Sequence, residues 1–248
     1  MEVTYTRGKP GELDEIRDFA NMVFSMHTRP HDFARMLPKL YADGSTTEGE
    51  HYLVREDGRL VAAVCAHPFT LVCGDRTLPC AAIGSVSVHP YVRGKGYMRK
   101  LMTTAVADMA QNGIALSVLD GRRHRYAYFG YEPAGLRAEY TITPDNLRHM
   151  ASAHKLALAA APAIPSDTAE TKALLALQSC RTVHSVYTAQ SFHASAGTGV
   201  CLYCAAAVRL QASASPPMQA VSGSWLCRTK PSCMTPCGLY RNILAVRR

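Results

Sequence analysis

The amino-acid sequence predicts an α/β (α+β) fold for residues 1–150, followed by an extension of a different character. In the first 150 residues, short apolar runs of the strand type alternate with segments whose apolar residues recur every three or four positions, as in helices. Hydrophobic residues make up 48% and charged residues 19% of the 248 residues, which favours a buried core and disfavours global disorder.

Helices are predicted where the apolar residues fall on one face of a 3.6-residue period. The predicted helices cover residues 13–24, 31–41, 93–111 and, as a short helix or turn, 122–128. In the third of these, Tyr97, Leu101 and Ala105 lie at four-residue steps and therefore share a face that can pack against a sheet.

Strands are predicted where short apolar runs are bounded by turn residues. The Asp57-Gly58 pair between residues 52–55 and 60–64 predicts a two-residue hairpin turn, because these residue types tolerate the positive φ angles that such a turn needs. The other predicted strands cover residues 3–6, 69–72, 78–88, 114–119 and 136–143.

Residues 151–248 are predicted to be an Ala-, Ser- and Cys-rich basic extension. The net charge is +1 before this region and +7 within it, and no acidic residue follows Glu170. Residues 151–178 have a helical composition that Pro162 and Pro165 interrupt. Two interpretations stay open: a poorly ordered extension, or a non-native continuation that arose from a change of reading frame.

Composition and cysteine spacing disfavour several functional classes. The sequence contains no run of about 18 apolar residues and begins without a signal-peptide pattern, so no membrane span and a cytoplasmic location are expected. Cys65, Cys73 and Cys80 are interpreted as small buried side chains in a reducing compartment. Cys201 and Cys204 form a Cys-x-x-Cys pair, but the later cysteines are irregularly spaced, so no metal site is predicted. Specific nucleic-acid binding is not expected either, because the basic extension matches no recognisable module.

The stretch from Val86 to Leu101 carries the clearest chemical signal, a strand followed by a turn, a glycine-rich loop and a helix. The first turn of a helix leaves backbone N–H groups unpaired, and Gly94 and Gly96 remove Cβ atoms that would block a close approach. Four basic side chains surround the loop: Arg93, Lys95, Arg99 and Lys100. The pattern predicts a pyrophosphate cradle. Arg99 stands where a dinucleotide fingerprint needs glycine, and Gly96 stands where a P-loop needs Ser or Thr.

Two motifs in this sequence resemble those of the GCN5-related N-acetyltransferases (GNAT). Arg93 and Gly96 match the first and fourth positions of the acetyl-CoA-binding pattern Arg/Gln-x-x-Gly-x-Gly/Ala. Met98 stands at the sixth position, and a large residue there is a feature of the enhanced-intracellular-survival (Eis)-like branch. The segment from Tyr126 to Ala134 resembles the Tyr-x-x-Phe-Gly-Tyr-x-Pro-Ala segment of that branch. The motifs come in the family's order, so the resemblance covers the whole first region.

The resemblance implies a GNAT-type mixed central β-sheet flanked by helices, in which two neighbouring parallel strands splay apart around the pantetheine arm of acetyl-CoA. It also implies an acetyl-CoA-dependent N-acetyltransferase that transfers acetyl from the thioester directly to an amine. The residues implied to bind acetyl-CoA are Val86, Ser87 and Val88 along the strand and Arg93, Gly94, Lys95, Gly96, Tyr97, Met98 and Arg99 in the loop and helix.

Tyr126 matches the family's proton donor, and a phenol with an ordinary pKa of about 10 is protonated at neutral pH. The general base is not assigned, because relatives use a C-terminal carboxylate from a later domain that the segment before Arg248 does not resemble. Asp120 and Glu132 are interpreted as solvated surface charges. The alternative function is a non-catalytic acetyl-CoA-binding module or a truncated relic. The identity of the amine and an oligomeric state are left open.

Overall fold

The computed structural model describes residues 1–27, 29–134, 145, 148–149, 158–162, 168–194, 202–206, 218–221, 224–227 and 243–246. The helices in this part of the chain are α1 (Leu13–Ser25), α2 (Phe33–Met36), α3 (Pro38–Tyr41), α4 (Tyr97–Gln111), α5 (Arg123–Tyr126), α6 (Thr168–Ser179) and α7 (Ala189–Ala194). Short 3₁₀ turns cover Glu48–Glu50, Pro90–Val92 and Ala127–Phe129.

The strands fall into two sheets. Their bounds are β1 (Val3–Arg7), β2 (His51–Glu56), β3 (Arg59–Cys73), β4 (Arg76–Val88), β5 (Leu116–Asp120), β6 (Tyr131–Ala134), β7 (Leu158–Pro162), β8 (Val183–Ser185), β9 (Leu202–Ala206), β10 (Met218–Val221), β11 (Ser224–Cys227) and β12 (Ile243–Val246). The main sheet has the order β1-β2-β3-β4-β5-β12-β6, with β8 paired to β3, and the second has the order β11-β10-β9-β7. In the main sheet β4 and β5 run parallel and the other described pairs are antiparallel, which confirms the predicted mixed sheet.

Helices cover both faces of the main sheet. Side chains along a strand point alternately to opposite faces, and apolar side chains on each face pack against helices. Val54 of β2 belongs to the core under α4, whereas its neighbour Leu53 belongs to the core under α1, α2 and α3. The buried face of α4 consists of Tyr97, Leu101, Met102, Ala105 and Met109. The predicted apolar face of this helix is thus the one that packs.

Strand β3 differs from the prediction of two separate strands at 60–64 and 69–72. It is one strand from Arg59 to Cys73 that includes Pro68. The β2 register ends where His51 faces Cys65, so Pro68 lies beyond that partner and its missing N–H leaves no bond to β2 unmade. Pro68 therefore lies between the stretches of β3 that pair with β2 and with β8, and the strand continues through it.

Other differences from the sequence predictions have equally local causes. The helix expected at 31–41 is two short helices, because Pro38 disfavours the helical conformation at Leu37. Cys73, expected to be buried, is exposed at the end of β3. The strand expected at 136–143 lies outside the described residues. Within residues 151–178, the structure describes a strand and a helix, β7 and α6.

An ion-pair cluster fastens α1 to the main sheet. Arg55 of β2 reaches Glu15 at 2.7 Å and Glu12 at 3.1 Å, and its side chain is 15% exposed. The hydrogen bond from Arg55 lowers the pKa of Glu15. A carboxylate with a lowered pKa in the folded state adds stability above its unfolded pKa and loses it as the pH falls through the folded value.

We expect Arg55→Gln to lower the free energy of unfolding by about 1 kcal/mol at pH 7, because it removes a partly solvated ion pair. The loss should shrink below about pH 4.3, the ordinary pKa of Glu, as Glu15 is protonated in both proteins. Denaturant unfolding across this pH range measures the effect. The exposed Arg59, for which no ion pair is found among the described residues, provides the control Arg59→Gln. An equal loss at pH 3 and pH 7 contradicts the assignment.

Candidate active site

The two parallel strands β4 and β5 separate within the sheet. Their register runs from Cys80 opposite Leu116 to Ile83 opposite Leu119 and then stops. Strand β4 continues to Val88 and, among the described residues, pairs there only with β3. The edge of β4 that faces β5 therefore offers unpaired backbone groups along residues 84–88, as expected from the resemblance.

A β-bulge accompanies this separation. The β3–β4 register shifts between Ala63 and Cys65, and Ser85 on β4 has a φ angle of +49°. An extra residue in one strand bends it and changes which face its side chains occupy. As a result Ser85 contacts Tyr41 on the α1 side, whereas the next residue, Val86, packs against the core on the α4 side.

The glycine-rich loop presents backbone N–H groups at the start of α4. Gly94 and Gly96 have φ angles of +87° and +82°, a region that L side chains rarely adopt, and the space where a Cβ atom would lie is open. Among the described residues, five backbone amides of the loop and the first turn of α4 have no hydrogen-bond acceptor: those of Gly94, Gly96, Tyr97, Met98 and Arg99. The amide of Lys95 instead donates to the Val92 carbonyl oxygen at 3.4 Å. Free amides at a helix N-terminus form an anion-binding site.

The basic side chains of the loop lie around its rim. The Lys95 ammonium is 2.7 Å from the Glu56 carboxylate, to which the Tyr97 hydroxyl also donates a hydrogen bond. This bond raises the pKa of Tyr97 to about 12. Arg93 is exposed and contacts His27, and Arg99 is exposed with no ion pair to a described residue. Glu56 therefore offsets part of the charge that the sequence places at the loop.

Tyr126 lies at the end of α5 in the same buried cluster as Tyr97. Its side chain is 9% exposed, and its ring stacks edge-to-face with Tyr131 at a centroid distance of 6.4 Å. Burial raises the pKa of Tyr126, with a smaller opposing effect from Arg125. The hydroxyl has no hydrogen-bond partner among the described residues and is not among the fully buried unpaired atoms. It is thus a protonated donor whose oxygen still reaches open space.

Gly121 determines where the Tyr126 ring can lie, and the sequence prediction missed it. A Cβ atom at Gly121 would lie 2.4 Å from Cε2 of Tyr126. A second restraint comes from Arg123 of α5, which holds Glu132 of β6 through bonds of 2.7 and 2.8 Å. Glu132 is therefore an exposed charge, as expected from the sequence, and it is also paired with Arg123. Only a glycine two residues after a predicted strand could have hinted at a close approach.

The fold buries several of the predicted residues in one cluster and leaves the basic ones exposed. Val86, Val88 and Met98 pack against the cluster that holds Tyr97 and Tyr126. The Ser87 side chain is buried and donates to the Ser85 carbonyl oxygen at 3.1 Å. Arg93, Lys95 and Arg99 stay exposed at the mouth of the loop. The site therefore combines an unpaired strand edge, a cradle of amides and a buried phenol.

The described residues contain no group of three or more His, Cys, Asp or Glu side chains that could hold a metal ion. Within the same ranges, no helix is both long enough and apolar enough to cross a membrane.

A family profile described as the acetyltransferase (GNAT) domain matches residues 4–134, more than half of the chain. No curated protein matches the chain.

The chain is also similar to solved structures. A GCN5-related N-acetyltransferase from Kribbella flavida is 18% identical with a TM-score of 0.61, over 93% of this chain and 58% of that protein. A probable N-acyltransferase from Enterococcus faecalis is 25% identical with a TM-score of 0.45, over 54% of this chain and 33% of that protein. A GNAT-family acetyltransferase from Brucella melitensis, crystallised with acetyl-CoA, is 23% identical with a TM-score of 0.45, over 53% of this chain and 83% of that protein. The chain thus spans about a third of the Enterococcus protein and just over half of the Kribbella protein.

We expect Gly121→Ala to lower the free energy of unfolding by about 1–3 kcal/mol, because the added methyl group must displace the buried Tyr126 ring. Thermal unfolding followed by circular dichroism measures this loss. Gly49→Ala is the matched control, since a Cβ atom there meets nothing within 4 Å and the backbone φ is not positive. Equal melting temperatures for the two variants would show that Gly121 does not restrain Tyr126.

Proposed function

This chain belongs to the GNAT acetyltransferase family, and from that membership we propose that it transfers an acetyl group from acetyl-CoA to an amine. One observation carries the proposal: the unpaired amides lie at the start of α4, whose buried face packs in the same cluster as Tyr126 and as Val86 and Val88 of the unpaired β4 edge. An anion cradle, an extended arm and a proton donor are what a CoA thioester requires.

The residues of the site fit acetyl-CoA in shape and charge. The amides of Gly94, Gly96, Tyr97, Met98 and Arg99 would hold the pyrophosphate. The backbone groups of Val86, Ser87 and Val88 that face away from β3 would bind the amide groups of the pantetheine arm. The exposed Arg93, Lys95 and Arg99 would add long-range attraction for the phosphates, weakened at Lys95 by its ion pair with Glu56.

Tyr126 would supply the proton that the leaving thiolate needs. Its raised pKa keeps it protonated at neutral pH, and its hydroxyl has no described partner that competes for the proton. Acetyl-CoA supplies the acetyl group when it is bound. The protein's part is to orient the arm along β4, to exclude water with the surrounding core and to donate a proton from the Tyr126 oxygen.

The wider assignments are proposals of the same kind. We propose that residues 1–150 form the acetyltransferase domain and that residues 151–248 extend it. Cys65, Cys73 and Cys80 are free thiols, which supports a cytoplasmic location. Met98 and the segment from Tyr126 support the Eis-like branch.

Calorimetric titration of acetyl-CoA into the full chain should show saturable binding at one site, and Gly96→Ala should weaken it about tenfold. An L residue in the left-handed region costs about 1–2 kcal/mol, so the variant loop leaves the conformation that presents the amides. Gly44→Ala is the control, because Gly44 has the same φ of +82° with equally open space around it. Failure of the folded wild type to bind overturns the proposed function.

Tyr126→Phe should lower kcat for CoA release by about 10²-fold, because it removes the proton donor, and should leave acetyl-CoA affinity unchanged. Tyr128→Phe, at a neighbouring tyrosine that is 82% exposed, is the control and should retain full kcat. Unchanged kcat in Tyr126→Phe removes Tyr126 from the reaction. Binding without turnover of any amine by the wild type would instead identify a non-catalytic acetyl-CoA-binding module.

A further inference from the structure

A chain of buried polar side chains runs from β2 to the separated part of β4. The Tyr41 hydroxyl lies 2.6 Å from Ser85 Oγ and 2.9 Å from His51 Nε2. His51 Nδ1 lies 2.9 Å from the Thr47 carbonyl oxygen. Tyr41 and His51 are fully buried and Ser85 is 8% exposed. Buried polar groups are costly unless each is paired, and here each member of the chain has a partner.

The polar chain formed by His51, Tyr41 and Ser85 reaches β4 at the point where that strand no longer pairs with β5. Ser85 lies two residues beyond Ile83, the last residue paired with β5. His51 pairs with Cys65 of β3, which pairs in turn with Gly84 of β4. These three residues form a row across the sheet that ends at the separation. The polar chain therefore connects the interior of the α1 side with the strand edge of the proposed site.

His51 is able to accept a proton through Nε2. Nδ1 faces a carbonyl oxygen, which can only accept, so Nδ1 carries the hydrogen of the neutral ring and Nε2 is left as the acceptor. Burial lowers the pKa of His51, which keeps the ring neutral near pH 7. Two charges also act on the pKa of His51: Glu50 raises it and Arg7 lowers it.

Tyr41 can carry a proton between its two partners. It has one hydroxyl proton, and when it donates that proton to Nε2 of a neutral His51, its oxygen can accept from Ser85. When His51 is protonated, Nε2 donates to the Tyr41 oxygen and Tyr41 donates to Ser85 Oγ. The same heavy-atom positions serve both patterns. Burial also raises the pKa of Tyr41, so it passes a proton on as a neutral hydroxyl.

We propose that Ser85, Tyr41 and His51 form the route along which the reacting amine loses its proton, an inference that rests on the proposed acetyltransferase function. An alkylammonium must lose a proton before its lone pair can attack the thioester. Its N–H bond breaks and the proton goes to Ser85 Oγ, the Ser85 hydroxyl proton passes to Tyr41, and the Tyr41 proton passes to Nε2. A neutral amine and an imidazolium result, and the imidazolium proton returns along the route to water after the products leave.

The test compares an alkylamine, which is charged at pH 7, with an aromatic amine, which is neutral there. Each is the best acceptor of its class in a panel assayed by CoA release with the full chain. Tyr41→Phe breaks the route but keeps the ring, and His51→Gln keeps a donor and an acceptor but cannot take up a proton. Both variants should lower kcat about 10²-fold for the alkylamine and less than about threefold for the aromatic amine. The alkylamine defect should shrink as the pH rises towards the pKa of the amine.

Tyr52→Phe is the matched control. Tyr52 is also buried and donates a hydrogen bond to Asp108 at 3.0 Å, but neither residue belongs to the polar chain. It should leave the ratio of the two kcat values unchanged. A structural role for Tyr41 and His51 would lower both activities equally, and that result overturns the proposal, as does a full alkylamine kcat in both variants. Wild-type protein that acetylates neither amine class overturns the proposed function and this route with it, whereas active wild type with unaltered variants overturns the route alone.

Discussion

The left-handed backbone of Ser85 is the constraint on which the geometry of the site depends. A residue with a side chain at a φ of +49° costs about 1–2 kcal/mol, so the surroundings must hold it there. The pairing of β3 with β4 on both sides of the register shift does so. The bulge bends β4 just beyond its last contact with β5, at Ile83. Without it, β4 and β5 could stay paired along their length and no edge would be free for a ligand.

Fixed backbone dipoles add to the positive charge of the side chains at the start of α4. Gly94 and Gly96 allow the chain to enter the helix with its amides directed outward. Glu56 binds Lys95 at 2.7 Å and so offsets one of the nearby positive charges. Fixed amides require no reorganisation when an anion binds, whereas long exposed side chains must lose rotamer freedom. In the proposed function, the loop amides therefore make the specific contacts with the pyrophosphate and the basic side chains at the rim supply general attraction.

Two different environments face each other across the separated strands. On the β5 side, Gly121 allows the Tyr126 ring to pack closely, and the pair of Arg123 with Glu132 fastens α5 to β6. The hydroxyl there has no described partner and keeps its proton. On the β4 side, the polar chain behind Ser85 ends in a histidine that burial keeps neutral. In the proposed mechanism, the phenol that donates a proton and the imidazole that accepts one thus lie in different surroundings, as one site that serves both proton transfers requires.

The sequence by itself determined the features that arise from local rules. The turn at Asp57 and Gly58 is confirmed by φ angles of +46° and +80°, and the apolar period of α4 identified its buried face, because both depend on a few neighbouring residues. The tertiary structure alone decided the rest. Tyr41 and Ser85 are 44 positions apart, so the polar chain that joins them to His51 leaves no periodic pattern in the sequence. Likewise β12 joins the main sheet between β5 and β6. Contacts of this kind form only when distant strands are brought side by side by burial of a shared core, and that is a property of the whole fold.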